Sequence, residues 1–367
     1  ICDSCGKETP KWEGKCPSCG EWNVLVEVRR DVRRKGDNYW IDNSPHTVEE
    51  LSNVSSDEVS RIELSSPEFN RVLGGGIVPG SLVAIAGDPG IGKSTLLLKV
   101  GGHVASEKGK VLYVTGEESV AQIKMRADRI RVSGNGLLLL QATSLDTVIT
   151  HLDRIRPVMA ILDSIQTVYD DSIDSPAGSV TQIRECTRLL MKWAKIHDIP
   201  LIVTGHVTKG GDIAGPRVLE HMVDVVLHME GDSVGAWRLL RAIKNRFGST
   251  NEVGVFEMLD VGMVDVEDPS KTFLSERKED ALGSVVVPAL EGSRPLLVEV
   301  QALTSPSVLA TPRRVATGMD FNRLLLVCAV LTRRARISLA NQDVLVNVTG
   351  GMRLNEPAAD LGVALAI

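Results

Sequence analysis

Residues 87–95 read GDPGIGKST, a full match to the pattern G-x-x-x-x-G-K-[ST]. The stretch follows the apolar run Leu82-Val83-Ala84-Ile85-Ala86 and precedes Leu96-Leu97-Leu98-Lys99-Val100, so a buried strand enters the loop and an amphipathic helix leaves it. That context makes it a phosphate-binding loop in an open α/β sheet. Gly87, Gly90 and Gly92 let the backbone turn its N–H groups toward β- and γ-phosphates at a helix N-terminus, where the helix dipole favours negative charge. Asp88, Pro89 and Ile91 complete the cradle, Lys93 adds a point charge, and Ser94, followed by Thr95, offers a hydroxyl to Mg²⁺. ATP and Mg²⁺ are the expected ligands.

Two further apolar runs end in carboxylates. Val111-Leu112-Tyr113-Val114-Thr115 delivers Gly116-Glu117-Glu118 to a strand's C-terminal end, the edge at which open α/β sheets bind ligands. A carboxylate there can orient the water that attacks a γ-phosphate; Glu117 is the expected general base, with Glu118 the second candidate. Met159-Ala160-Ile161-Leu162-Asp163 fits the second nucleotide-binding signature, in which Asp163 holds Mg²⁺. Residues 182–197 carry Ile183, Cys186, Leu189, Leu190, Trp193 and Ile196 at helical spacing, a core helix. Leu201-Ile202-Val203-Thr204 is another strand, leading to Gly205, His206 and Lys209; His206 is either a phosphate sensor or an ordinary satisfied histidine. Strands near 223–227, 237–243 and 253–259 complete a twisted sheet.

Composition bounds the rest. The 367 residues suffice for two or three domains, and a formal net charge of −6 confines any nucleic-acid surface to a local patch. No run of about 18 apolar residues and no signal peptide is visible, which predicts a cytoplasmic protein without membrane contact. The chain begins at Ile1 and ends within an apolar run, so both termini read as trimmed. Cys2, Cys5, Cys16 and Cys19 form two C-x₂-C pairs, with Gly6 and Gly20 following the second cysteine of each. A structural Zn²⁺ held by four thiolates is the expected state, two disulfides the alternative. A module of about 25 residues buries too little core to fold alone, and metal binding would supply about 10 kcal/mol. The other cysteines, Cys186 and Cys328, lie in apolar helical patterns and read as buried thiols. Residues 28–45, with Arg29, Arg30, Arg33, Arg34 and Lys35, read as a linker, with a nucleic-acid contact as the alternative. The stretch PEFNRVLGGGIVPGS from Pro67 predicts a short helix ended by three glycines.

Between two of the later strands lies Lys244-Asn245-Arg246-Phe247-Gly248, KNRFG. Two cations, an amide and a ring on a glycine turn suit phosphates or a stacked base, or a neighbouring subunit's nucleotide reached by cationic fingers; a solvated turn is the plain alternative.

Together the four-cysteine knuckle, GDPGIGKST, YVTGEES, AILDSIQT, GHVTKGG, IAGPRVLEHMVD and KNRFG resemble the bacterial RadA (Sms) family of RecA-type recombination and repair ATPases, over essentially the whole chain. The resemblance implies an α/β, RecA-like P-loop ATPase core (46–270) with an N-terminal zinc knuckle (1–27) and a C-terminal α+β Lon protease-like domain (271–367). It further implies a DNA-dependent ATPase that assembles as a hexameric ring, binds single-stranded and branched DNA and drives branch migration. Lys244 and Arg246 would then act at the subunit interface, Lys209 would lie on a pore-facing loop, and a RecA-type recombinase or replication proteins would be possible partners of the zinc module.

The region from about Ser275 is similar to Lon-type proteolytic domains. The strand-like stretches 283–288 and 295–302 are followed by Val346-Asn347-Val348-Thr349-Gly350-Gly351 and Asn355-Glu356-Pro357-Ala358-Ala359-Asp360. The position matching the nucleophilic serine is Ala358, which has nothing to activate, so the expectation is a structural or DNA-binding platform rather than a protease. Arg313, Arg314, Arg323, Arg333, Arg334 and Arg336 make it locally basic, as a nucleic-acid track or as unrelated surface arginines. A nucleotide-switched scaffold acting through the zinc module is the alternative function.

Overall fold

A computed structural model describes residues 14–17, 19–22, 50, 60–206, 219–231, 236–274, 277, 281–349 and 353–367. The readings at Cys2, Cys5, Lys209 and the 28–45 linker, and the side chain of His206, lie outside what it describes. The chain divides into two units, Ile1–Thr47 and Val48–Ile367.

The larger unit is built on a nine-stranded sheet. Helix α1 (Pro67–Leu73) leads into β1 (Leu82–Gly87), followed by α2 (Lys93–Glu107), β2 (Val111–Thr115), α3 (Val120–Arg129), β3 (Leu137–Gln141), α4 (Leu145–Ile155), β4 (Met159–Asp163), α5 (Val180–His197) and β5 (Leu201–His206). Strands β6 (Val225–Glu230), β7 (Trp237–Asn245), β8 (Val253–Leu259) and β9 (Gly262–Asp265) complete it in the order β3-β2-β4-β5-β1-β6-β7-β8-β9. The pairings from β3 to β6 are parallel and those from β6 to β9 antiparallel. In β1 and β2 every residue is buried, as continuous apolar runs covered on both faces must be. Local signals set the elements. Ser66 caps α1 by accepting from the Phe69 N–H, Gly74 closes it in the left-handed conformation, and Ser119 with Gln122 forms a capping box on α3.

After the short helix α6 (Pro269–Phe273), β10 (Ser284–Glu291), β11 (Arg294–Pro306), β12 (Arg314–Thr317) and β13 (Gln342–Val348) form a second sheet in the order β10-β11-β13-β12, with helices α7 (Phe321–Arg333) and α8 (Asp360–Ala366). Its core is shared with the first sheet. Leu239, Val253, Val255 and Val266 are buried in one cluster with Val287, Leu296, Val298, Leu324 and Val346. Charge pairs span the same seam: Arg241 meets Glu291 at 2.6 Å, and Arg294 meets Glu68, whose side chain is 4% exposed.

Candidate nucleotide site

Strand β1 is central, between β5 and β6, and the GDPGIGKST loop leaves its C-terminal end. Asp88, Pro89 and Gly90 are exposed at the rim, whereas Lys93 is buried at the first turn of α2 with Ser94 half-buried beside it. The glycines are required by space or by backbone conformation. Gly87 packs so closely on β6 that a Cβ would lie 2.6 Å from the Met229 carbonyl oxygen, and Gly92 adopts φ +113°, a conformation that strains any residue with a Cβ. At Gly90, φ +78°, an added Cβ would meet no protein atom within 4 Å, so the loop there faces open space. Lys93 Nζ donates to the carbonyls of Gly87 at 2.8 Å and Asp88 at 2.9 Å. Burial holds its pKa below the ordinary lysine value, opposed by attraction from Asp163, Asp88 and Glu117, which places these three carboxylates around the ammonium. A cationic, glycine-lined cradle of this kind fits a polyphosphate.

Asp163 ends β4, one strand removed from β1 across β5. Both its oxygens are taken: Thr204 Oγ1 donates to Oδ1 and Tyr113 Oη to Oδ2, each at 2.6 Å. Tyr113 is 1% exposed, and burial with the adjacent Asp163 charge pushes its pKa well above the usual phenol value, so it stays a donor. A carboxylate oriented by two hydroxyl donors is held in one place, which suits a divalent cation. Glu117 is exposed at the end of β2, and its Oε1 accepts from Ser164 Oγ at 3.0 Å, next to Asp163. Glu118 is turned aside into an ion pair with Arg126.

The structure does not bring Lys244 and Arg246 to this edge. Lys244 lies opposite Val226 and Asn245 opposite Val225, at the start of β6, while Gly87 lies opposite Met229 near its end. The KNRFG turn therefore occupies the other edge of the sheet, where its groups bond within the chain. Lys244 Nζ donates to the carbonyls of Glu220 at 2.6 Å and Val223 at 2.8 Å, and Arg246 Nη1 donates to Asp224 Oδ1 at 2.9 Å. Asp224, buried at 2% exposure, also accepts from the N–H of Leu82, the first residue of β1. Asn245 Nδ2 reaches the carbonyls that end α1, Val72 and Leu73. Burial, then the neighbouring Arg246, lowers the pKa of Lys244.

Comparison with known proteins places this arrangement. A model described as AAA domain matches residues 47–212, and one described as Rubredoxin metal binding domain matches residues 1–27. The DNA repair protein RadA of Listeria monocytogenes is 50% identical over 367 residues, all of this chain and 80% of that protein. RadA of Bacillus subtilis is 50% identical over 370 residues, covering all of this chain and 81% of its own length. The chain belongs to the RadA family of DNA repair proteins. It is an ATP-hydrolysing DNA repair enzyme, with a nucleotide-binding AAA-type domain and a zinc ribbon at its N-terminal end.

In the ribbon of this RadA-family chain, the second cysteine pair forms a tight knuckle. Gly20, at φ +76°, donates its N–H to the Cys16 carbonyl at 3.0 Å, Cys16 donates to Glu21 at 2.8 Å, and Lys15 bridges to Trp22. Cys16 is buried and Cys19 exposed. Two cysteines three residues apart at such a glycine turn fit the spacing of a thiolate-bound metal.

In the C-terminal region Ala358 is exposed on a short 3₁₀ turn, Pro357–Ala359. Arg323 binds Asp360 and the Asn355 carbonyl, both at 2.6 Å, and Arg314 binds the carbonyls of Gln342 and Leu339. Of the six arginines read as a basic patch, these two serve the local fold, leaving Arg313, Arg333, Arg334 and Arg336 exposed.

Sequence reasoning missed Tyr113, Thr204, Asp224 and Arg238. A tyrosine inside a buried run signals a hydroxyl that needs a partner, so Tyr113 was recoverable. Arg238 was not: on an alternating strand it reads as one more solvated cation, yet it is 6% exposed.

Proposed function

We propose that this chain is a DNA-dependent ATPase motor of recombinational repair, a cytoplasmic hexameric ring that binds single-stranded DNA and promotes branch migration and unwinding. The observation that carries the reading is the opposition of the two edges: the phosphate loop, Asp163 and Glu117 at one, Lys244 and Arg246 at the other. A head-to-tail ring stacks these edges, so each nucleotide lies between one subunit's loop and the next subunit's cations. Residues 87–95 hold the phosphates, Lys93 neutralises them, and Ser94 and Asp163 would hold Mg²⁺, which would supply further positive charge to the phosphates. Glu117 is the general base, because it is exposed beside Ser164 while Glu118 is held by Arg126. Lys244 and Arg246 act in trans, Lys209 faces the pore, and Cys2, Cys5, Cys16 and Cys19 hold Zn²⁺ in a module that recruits protein partners. We place the domain divisions at 27, 45 and 270, with the Lon-like part serving as a platform.

The test is ATP hydrolysis with and without single-stranded DNA across a salt series. Stimulation that fades with rising salt is the expected result, because phosphate contacts release counterions. Hydrolysis indifferent to DNA refutes the motor and favours a nucleotide-switched scaffold. Mixed assemblies of Lys93→Ala and Lys244→Ala subunits test the trans arrangement: each variant supplies what its neighbour lacks, so partial recovery is expected, and none is expected if Lys244 acts only within its own chain.

A further inference from the structure

Arg238 is a buried cation behind the phosphate loop. It lies on β7, and its Nε donates to the carbonyl of Ile91 at 3.0 Å while its Nη1 donates to the carbonyl of Trp237 at 2.7 Å. Ile91 precedes Gly92, the N-cap of α2. Among the described residues only the Asp163–Ser164 peptide is cis, so the Ile91–Gly92 peptide is trans. In a trans peptide the C=O and N–H lie in one plane and point in opposite directions. A guanidinium that fixes the Ile91 carbonyl therefore fixes the Gly92 N–H pointing away from β7. That N–H belongs to the set of loop donors at the start of α2 on which phosphate binding depends.

The neighbouring chain is shaped to admit this side chain. Gly231 follows the last residue of β6, and a Cβ there would lie 2.8 Å from Arg238 Cδ and 2.6 Å from the Trp237 carbonyl oxygen. Glycine at this point clears the passage for the arginine stem. Arginine also suits the task chemically. Its guanidinium keeps its charge when buried and donates through a rigid planar fork, whereas a buried lysine gives up its proton more readily. At the loop's entry the ammonium of Lys93 holds the Gly87 and Asp88 carbonyls, and Arg238 holds the Ile91 carbonyl just before α2.

We infer that Arg238 is a positioning residue for ATP, which pins the Ile91 carbonyl and so presets the Gly92 N–H to receive phosphate. The inference rests on residues 87–95 being the ATP site, and Lys93→Ala serves as the control for that reading. The experiment measures steady-state ATP hydrolysis and equilibrium binding of a fluorescent ATP analogue by the full chain carrying Arg238→Met, Arg238→Lys or Gly231→Ala. Loss of one charge-assisted hydrogen bond that orders the loop raises KM and the analogue's Kd about tenfold in Arg238→Met, with kcat falling by less. Arg238→Lys, which keeps a donor but loses the planar fork and holds its charge less firmly when buried, recovers only part of the affinity. Gly231→Ala leaves the arginine but displaces its stem, so it raises KM in the same direction and decides the matter if Arg238→Met does not fold. Unchanged KM and Kd, with kcat reduced only in step with the folded fraction, would overturn the assignment and leave Arg238 a packing residue. Normal affinity in Lys93→Ala would instead overturn the site itself.

Discussion

Replacing Tyr113 with Phe removes one oxygen atom from the interior and nothing else. The ring is 1% exposed and its hydroxyl donates to Asp163 Oδ2 at 2.6 Å, so the phenylalanine ring fills the same space and no cavity contributes. What is lost is a hydrogen bond to a carboxylate, worth about 1.5–3 kcal/mol when one partner is removed. Urea unfolding of the nucleotide-free protein should show that loss in free energy at unchanged m-value. A cycle with Asp163→Ala isolates the pair: the two substitutions should couple by a similar amount, because each removes the same bond. The alkaline limb supplies an independent check. The folded-state pKa of Tyr113 lies above the usual phenol value, so above about pH 10 the unfolded chain loses a proton that the folded chain keeps, and stability falls as pH rises. In Tyr113→Phe that part of the fall disappears. Asp163 would also be less well aimed, so hydrolysis should need more Mg²⁺ for half-maximal rate. Wild-type stability together with an unchanged Mg²⁺ requirement would refute the claim that Tyr113 orients Asp163.

The two glutamates at the end of β2 should separate cleanly: Glu117→Gln lowers kcat by about 10²- to 10⁴-fold with nucleotide affinity retained, whereas Glu118→Gln acts mainly by freeing Arg126, and a larger kcat loss in Glu118→Gln would reverse the assignment. Because burial depresses the pKa of Lys93, binding a polyanion must raise it; calorimetry in buffers of differing ionisation enthalpy should show proton uptake on ATP binding as the pH approaches the ordinary lysine value from below, absent in Lys93→Arg. Cys16→Ser should lower the zinc content of the purified protein, measured by atomic absorption, and make the ribbon sensitive to proteolysis, because metal binding supplies its folding free energy.

The nucleotide edge was legible because its chemistry leaves marks at fixed spacing. A loop that must wrap a phosphate needs glycines where Gly87 leaves no room for a Cβ and Gly92 takes a positive φ, and buried parallel strands need runs such as 82–86, which became β1. Strands were placed well where burial was continuous and less well at their ends: the expected 223–227 strand is Val225–Glu230, because Val223 and Asp224 serve the clasp around Lys244 and Leu82. The KNRFG motif could be recognised but not positioned, since which sheet edge a turn occupies follows from the strand order. Nor did spacing reveal that the second sheet shares a core with β7 and β8. Leu239, Val253 and Val255 carry an alternating pattern that fits either a solvated or a covered face, and only the packing of Val287, Leu296 and Val298 distinguishes the two.

Strand β1 ties the two edges together. At its first residue the Leu82 N–H donates to Asp224, which also binds Arg246, and at its last residue Gly87 gives its carbonyl to Lys93. The strand between is wholly buried and paired on both sides, to β5 and to β6. A six-residue strand so confined spans about 20 Å and transmits displacement rather than absorbing it. In the ring we propose, cations drawn toward a neighbour's phosphates must first leave the Glu220, Val223 and Asp224 groups of their own chain. Asp224 would retain Leu82 and Lys195, 3.5 Å away, so the strand would stay anchored while the Glu220 and Val223 carbonyls lost their cation. The nucleotide in one subunit would thereby act on residues 220–223 of the next, through contacts already made within each chain.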